Sequence, residues 1–293
     1  MTWKELLTRL ITNKLSLFGI IIILIFAVVA IAAPWIAPPA DPDEPYQIPR
    51  KGWTTRPSPP DSEALFGTTE GSYDIFYGMV WGTRTAFRIG IVVVFFASII
   101  GVSIGTIAAY YGGKVDEILM RITDVFMSIP FLVAAMVLTT ILGRGLDNVM
   151  IALVTFGWMG TARLTRSQVL EIKTEEFVQA AEALGANDLR VILRHVLINS
   201  IYPVLIQACM RMGSMVITAA ALSFLGVGAP EGYADWGQMI SFARNWILGT
   251  SGGAFEFWYT FIFPGTAILF FSLSWNLIGD AFRDILDPKL QQS

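Results

Sequence analysis

The chain has 293 residues, of which 54% are hydrophobic and 15% charged, and its mean hydropathy is +0.60. This is too apolar for a soluble domain and leaves room for about six membrane-crossing segments of roughly 20 residues each. A formal net charge of −3 offers no basic excess for nucleic acid, and a lone Cys209 and a lone His195 exclude an intrachain disulfide, a cysteine metal cluster and a histidine metal site.

Residues 1–14 set Lys4, Arg9 and Lys14 against a single Glu5, and residues 15–40 then carry no charge. That pattern is a first span with a cytoplasmic N-terminus. Ala30-Ile31-Ala32 also has the form of a signal-peptide cleavage site. The apolar run, however, exceeds the ~7–15 residues of such a segment and Pro34 lies just past the cut, so an uncleaved span is expected. Residues 38–64 are rich in Pro and Asp and read as an external linker without a packed element. Further spans are expected at 89–111, 125–142, 149–162, 196–227 and 258–278. The Gly-rich, aromatic stretch 228–257 reads as an external loop and interfacial belt, and the tail 283–293 as cytoplasmic. The fold class is therefore all-α, a polytopic bundle of about six transmembrane helices.

One charged island interrupts the apolar blocks, and its pattern gives two short helices with a break between them. Thr174 is the expected N-cap of the first, with Glu175 and Glu176 in its first turn, and Gly185 supplies the left-handed residue that stops it. Asn187 caps the second. There Leu189, Ile192, Leu193, Val196 and Leu197 recur at helical spacing as a packing face, leaving Arg190 and Arg194 on another. The pattern alone fits a solvated hairpin between two spans or a docking element.

In the span 196–227, Gln207, Arg211, Ser214 and Thr218 lie at i, i+4, i+7 and i+11, so a helix gathers them into one polar stripe away from Ile206, Met210, Val216 and Ile217. A lipid-facing Arg211 would cost ~2.5–3.5 kcal/mol or more near the membrane centre, so the stripe should face protein or water. Two readings stand: Arg211 bonds a neighbouring carbonyl and seals the helix packing, or the stripe lines a translocation path. The five later spans contain no Asp or Glu, against ion-coupled transport. No GxxxxGK[ST] loop is present, so the chain is not expected to hydrolyse ATP; an HExxH motif is missing too.

Gln179-Ala180-Ala181, Gly185 and His195-Val196-Leu197 resemble the "EAA" loop of the membrane subunits of binding-protein-dependent ABC importers, in the form of the dipeptide and oligopeptide permeases, with Gln179 in place of Glu and Ile198 in place of Pro. Gly67, Thr68, Glu70, Asp74, Gly82 and Arg84 match the family's pre-membrane motif. The stretches 222–228 with Pro230 and 236–239, and 263–265 with 276–280 and 283–288, are similar to its LSFLGLG and C-terminal signatures, although Ala219 stands where many members have Glu. The resemblance spans essentially the whole chain. It implies a cytoplasmic coupling-helix loop, residues 171–200, that docks on an ATPase through Phe177, Gln179, Ala180, Ala181, Glu182, Leu184, Gly185, Arg190 and Arg194. It implies as partners a second permease subunit, two ATP-binding subunits that carry ATP and Mg, and an extracytoplasmic substrate-binding protein. No cofactor is expected in this chain, nor any nucleic acid. The setting implied is the inner membrane of a prokaryote, multi-pass with both termini cytoplasmic, and the cargo dipeptides, oligopeptides, nickel chelates or glycosides. Two parts are expected: 1–64, comprising the N-terminal segment, first span and external loop, and 65–293, the permease core. A secondary carrier or channel using the loop as a hinge is the competing class.

Overall fold

The computed structural model describes residues 13–247 and 255–286. Lys4 and Arg9, expected on the cytoplasmic side, and the tail 287–293 lie outside the described residues. Among the described residues every regular element is helical: α1 (Lys14–Ile36), α2 (Ile75–Tyr111), α3 (Gly113–Met127), α4 (Phe131–Leu142), α5 (Leu146–Gly157), α6 (Met159–Ile172), α7 (Glu176–Ala183), α8 (Asp188–Val191), a π-turn (Ile192–Val196), α9 (Leu197–Phe224), α10 (Trp236–Ala243) and α11 (Tyr259–Leu286).

Among the described residues, four helical runs are long and apolar enough to cross a membrane: Lys14–Ile36, Ile75–Tyr111, Asp188–Phe224 and Tyr259–Ile285. The bent pair α3–α4 brings the count to five if it is one span. The second span begins well before the expected residue 89. Asp74 caps α2 by accepting from the Tyr77 amide at 3.2 Å, so the pre-membrane motif straddles the start of the span, with Gly67, Thr68 and Glu70 before the cap and Gly82 and Arg84 inside the helix. The expected straight span 125–142 is instead bent by 82° between α3 and α4. Pro130 disfavours helical backbone at Ile129 and has no N–H to continue the ladder, which is the physical reason for the break. The span expected at 149–162 is divided at Trp158 into α5 and α6, neither of which is long and apolar enough alone.

Small residues let the backbones close up where the bundle must hold a charged loop. A Cβ on Gly101 would lie 2.6 Å from the Trp158 carbonyl oxygen, and one on Gly105 would meet the Ala162 carbonyl and Thr165. The GxxxG face of α2 thus receives the first two turns of α6 in direct backbone contact. At the other end of the bundle Phe26, Phe87, Trp236 and Phe271 pack ring to ring at 5.1–5.9 Å, joining α1, α2, α10 and α11.

Residues 37–74 lack regular helix, as the prolines dictate, but they are not a loose linker. Ile48 is buried, its amide donates to the Gly232 carbonyl at 2.8 Å, and the Ala234 amide donates to the Tyr46 carbonyl at 2.8 Å. Tyr46 stacks on Tyr233, and the Trp81 indole donates to the Ala37 carbonyl at 2.9 Å. The segment forms a cap with the loop before α10. The motif residues explain themselves there: Glu70 accepts from the Trp246 indole at 2.8 Å, Arg84 lies over the Trp81 ring, and Gly82 leaves room for Trp236.

Candidate functional site

The charged island becomes a helical hairpin at the end of the bundle where α2 stops and α6 emerges. Its first helix, α7, begins after Glu175, not after Thr174: the Thr174 hydroxyl donates back to the Glu171 carbonyl at 2.8 Å and caps nothing. The stop falls as expected. Gly185 has φ +81°, its amide donates to the Glu182 carbonyl at 2.9 Å, and the Ala186 amide donates to the Ala181 carbonyl at 3.1 Å. These two bonds close a Schellman motif, which uses the left-handed residue to satisfy the last carbonyls of the helix. Asn187 caps α8 by accepting from the Arg190 amide at 2.9 Å.

The packing face of the second helix differs from the 3.6-residue expectation. Val191 and Val196 are buried, while Leu189 is 66% and Leu193 53% exposed. The π-turn is the cause. Its i→i+5 bonding adds a residue to the turn, so Val191 and Val196, five apart, come to face the same way and the phase set by Leu189 is lost. Heptad-style counting cannot see such a turn; the run Arg194-His195 inside it carries no distinguishing signal.

Val178, Val191 and Val196 form a small core with Ala109 of α2 and Val169 of α6. The Lys173 ammonium donates to the Ala109 carbonyl at 2.7 Å and so caps the end of α2 with a cation, where the helix dipole favours one. The Tyr110 hydroxyl stands 3.4 Å from both Glu182 and Asp188, bridging the two arms of the hairpin. Just behind, Arg166 makes a bidentate pair with Asp116 of α3, both contacts at 2.6 Å. These anchors were not singled out in the sequence; nothing in the local pattern marks Lys173, Tyr110 or Arg166 as partners across 50 residues and more.

What the hairpin leaves outward is apolar at its tip. Leu184 is 90% and Phe177 43% exposed, as are Leu189 and Leu193, with Gln179, Ala180, Glu182, Gly185, Arg190 and Arg194 also exposed and Ala181 half-buried. Gln179 donates to the Thr174 carbonyl at 3.0 Å, closing the entry turn. A Cβ on Gly185 would meet nothing within 4 Å, so the space in front of it is open. The expected coupling residues all lie on this hairpin and, Ala181 apart, are exposed, and Glu182 also turns towards Tyr110.

The polar stripe of α9 is divided. Arg211 donates to the Thr161 hydroxyl at 2.8 Å and to the Gly157 carbonyl, and the Thr161 hydroxyl donates to the Gln207 side-chain oxygen Oε1 at 3.3 Å. Ser214 and Thr218 instead bond back to carbonyls of their own helix, at 3.0 and 2.9 Å. Of the residues expected away from the stripe, Val216 is buried but Ile217 is exposed.

A polytopic helical bundle that carries an anchored helical hairpin at one end has the architecture of a membrane transport subunit. Residues 101–292 match the family described as binding-protein-dependent transport system inner membrane component, and residues 2–52 match the N-terminal transmembrane domain of oligopeptide transport permease C. The chain belongs to that family, in its OppC/DppC branch, and is a multi-pass inner membrane permease, not itself an ATPase. It is 36% identical to the dipeptide transport system permease protein DppC of Alkalihalophilus pseudofirmus over 99% of this chain and 90% of that one. It is 33% identical to the oligopeptide transport system permease protein OppC of Bacillus subtilis over the same shares. Among solved structures, inward-facing conformations of the MetNI methionine ABC transporter match with a TM-score of 0.56 at 20% identity, over 72% of this chain and 95% of that one, a likeness of fold.

Proposed function

We propose that this chain is one of two permease subunits of an ATP-driven importer of di- and oligopeptides, coupled to two ATP-binding subunits through residues 171–200 and supplied by an extracytoplasmic binding protein. The cargo assignment is supported by the names of the DppC and OppC relatives. The observation that carries the coupling role is the hairpin tip: an apolar surface of Phe177, Leu184, Leu189 and Leu193 on a firmly anchored element, with the flanking cations Arg190 and Arg194. Exposed apolar clusters rimmed by charge mark contact sites. In this reading both termini are cytoplasmic, the chain crosses six times with α3–α4 and α5–α6 as broken crossings, and 1–64 forms an anchoring part before the core 65–293. Gln207, Arg211, Ser214 and Thr218 then border the path between this chain and the second permease, Ser214 and Thr218 presenting hydroxyls to it and Gln207 and Arg211 held behind.

The test is reconstitution of the complex with wild-type and Leu184→Glu chains. The variant should insert normally but fail to retain the ATP-binding subunits, because a carboxylate would have to be desolvated in the docking groove. Full retention of those subunits, with transport intact, would refute the assignment.

A further inference from the structure

We infer that Thr161 is a positioning residue for energy coupling: with Arg211 it latches together the two membrane arms of the coupling hairpin, so that a displacement of the hairpin moves α6 and α9 as one body. The inference rests on the coupling role proposed for 171–200. Helix α6 enters the hairpin at Ile172 and the run from the π-turn leaves it into α9. The first point deep in the bundle where these arms are joined by hydrogen bonds is the Arg211 cluster. Its chemistry is unusual for a membrane segment, since both acceptors of the guanidinium are neutral. One is the Gly157 carbonyl at the very end of α5, where carbonyls lack intrahelical partners and the dipole is negative. The other is the Thr161 hydroxyl, which is buried and uses its remaining valence towards Gln207, one turn from Arg211 on α9.

The cluster is also backed from the far side. A Cβ on Gly101 would stand 2.7 Å from the Thr161 Cβ, so α2 leaves Thr161 no alternative position. Thr161 therefore sits where α2, α6 and α9 meet, and from it α6 extends to the hairpin over eleven residues, a rod of ~16 Å. A planar guanidinium can hold the carbonyl and the hydroxyl at once; an ammonium cannot do so with the same geometry.

The experiment compares Thr161→Val, Thr161→Ser and Arg211→Lys in the reconstituted complex with both ATPase subunits and the binding protein. ATP turnover is measured with and without cargo-loaded binding protein. Thr161→Val keeps shape and removes the hydroxyl: the complex should assemble and keep its basal turnover, while stimulation falls by roughly 5- to 150-fold, the ordinary range of a coupling free energy. Thr161→Ser should restore stimulation, and Arg211→Lys should lose it despite keeping the charge. If Thr161→Val and Arg211→Lys are stimulated like wild type, the latch is refuted. Loss of the ATPase subunits from Leu184→Glu is read separately, so failure of the docking reading is distinguishable from failure of the latch.

Discussion

Replacing Gly185 by valine tests whether the hairpin's turn, and not only its surface, carries coupling. The residue sits at φ +81° with two amide bonds closing the turn around it. A β-branched residue in left-handed backbone costs ~1–3 kcal/mol. No atom within 4 Å would oppose the new Cβ, so this cost is conformational and does not include a clash within the chain. It falls on an eight-residue helix held by one small core, α7 with its single buried Val178, so the local turn opens before the bundle does. A shift of that size is a ~5- to 150-fold change in the population of the closed hairpin. The expected outcome in the reconstituted complex is normal insertion, weakened retention of the ATP-binding subunits and reduced cargo-stimulated ATP turnover. Gly185→Asn should recover most of the loss, because asparagine tolerates the left-handed region and adds bulk of similar size. If valine and asparagine impair the complex equally, bulk in front of the partner is responsible and the turn argument fails. Should valine have no effect, the hairpin does not dock through this turn at all.

Three further outcomes are expected. Gly105→Leu should separate α2 from α6, since a Cβ alone would already lie 2.3 Å from the Ala162 carbonyl oxygen, and the variant should show a lowered midpoint of thermal unfolding in detergent and greater cleavage of the hairpin by protease. Asp235 is buried and caps α10 through the Gln238 amide at 2.8 Å, and burial pushes its carboxyl above the usual range against the hydrogen bonds that favour the anion. A raised native pKa contributes stability that is present below the unfolded value of ~3.9 and is lost as pH rises through the native value, so thermal stability of wild type should fall across that window; Asp235→Asn, an equally good N-cap, should flatten the dependence, and an unchanged pH profile would refute the buried-acid argument. Single cysteines at Gly112 and Gly143, in a Cys209→Ser background, should be labelled by a membrane-impermeant thiol reagent from opposite sides if α3–α4 is one broken crossing; labelling from one side would make the pair re-entrant.

Much of this structure is written locally and could be read locally. Asn187, Gly185 and the helix after Asp74 act through neighbours two to five residues away, and the run of apolar residues between charges locates the straight spans at both ends of the chain. The bend after α3 had its signal too: Ser128-Ile129-Pro130 stands inside the apolar block, and a proline three residues beyond a helical run ends it more often than it kinks it. The Pro-rich segment misleads for a different reason. Proline forbids regular helix but does not forbid burial, and Tyr46 and Ile48 find their partners in Gly232 and Tyr233, almost two hundred residues away.

The π-turn shows how one local irregularity can decide a functional surface. Counted at 3.6 residues per turn, Leu189 and Leu193 belong inside and would leave only the arginines for a partner. With the extra residue accommodated between Ile192 and Val196, Val191 joins Val196 in the inner packing and the two leucines are left exposed. The apolar tip is therefore a product of the backbone phase, which ties two properties that sequence periodicity treats as independent. Lengthening this stretch by one residue, inserting an alanine after Ile192, adds a residue beyond the one the π-turn absorbs and should rotate every residue on one side of it by about 100° relative to the other. Either the leucines withdraw and docking is lost, or the phase of α9 changes and Arg211 leaves Gly157 and Thr161. Crosslinking of single cysteines at 161 and 207, with Cys209 replaced, separates the two: retained crosslinking with lost ATPase retention places the rotation in the hairpin, and the converse places it in α9. An insertion chain that keeps both would show that the phase of this turn does not set the surface.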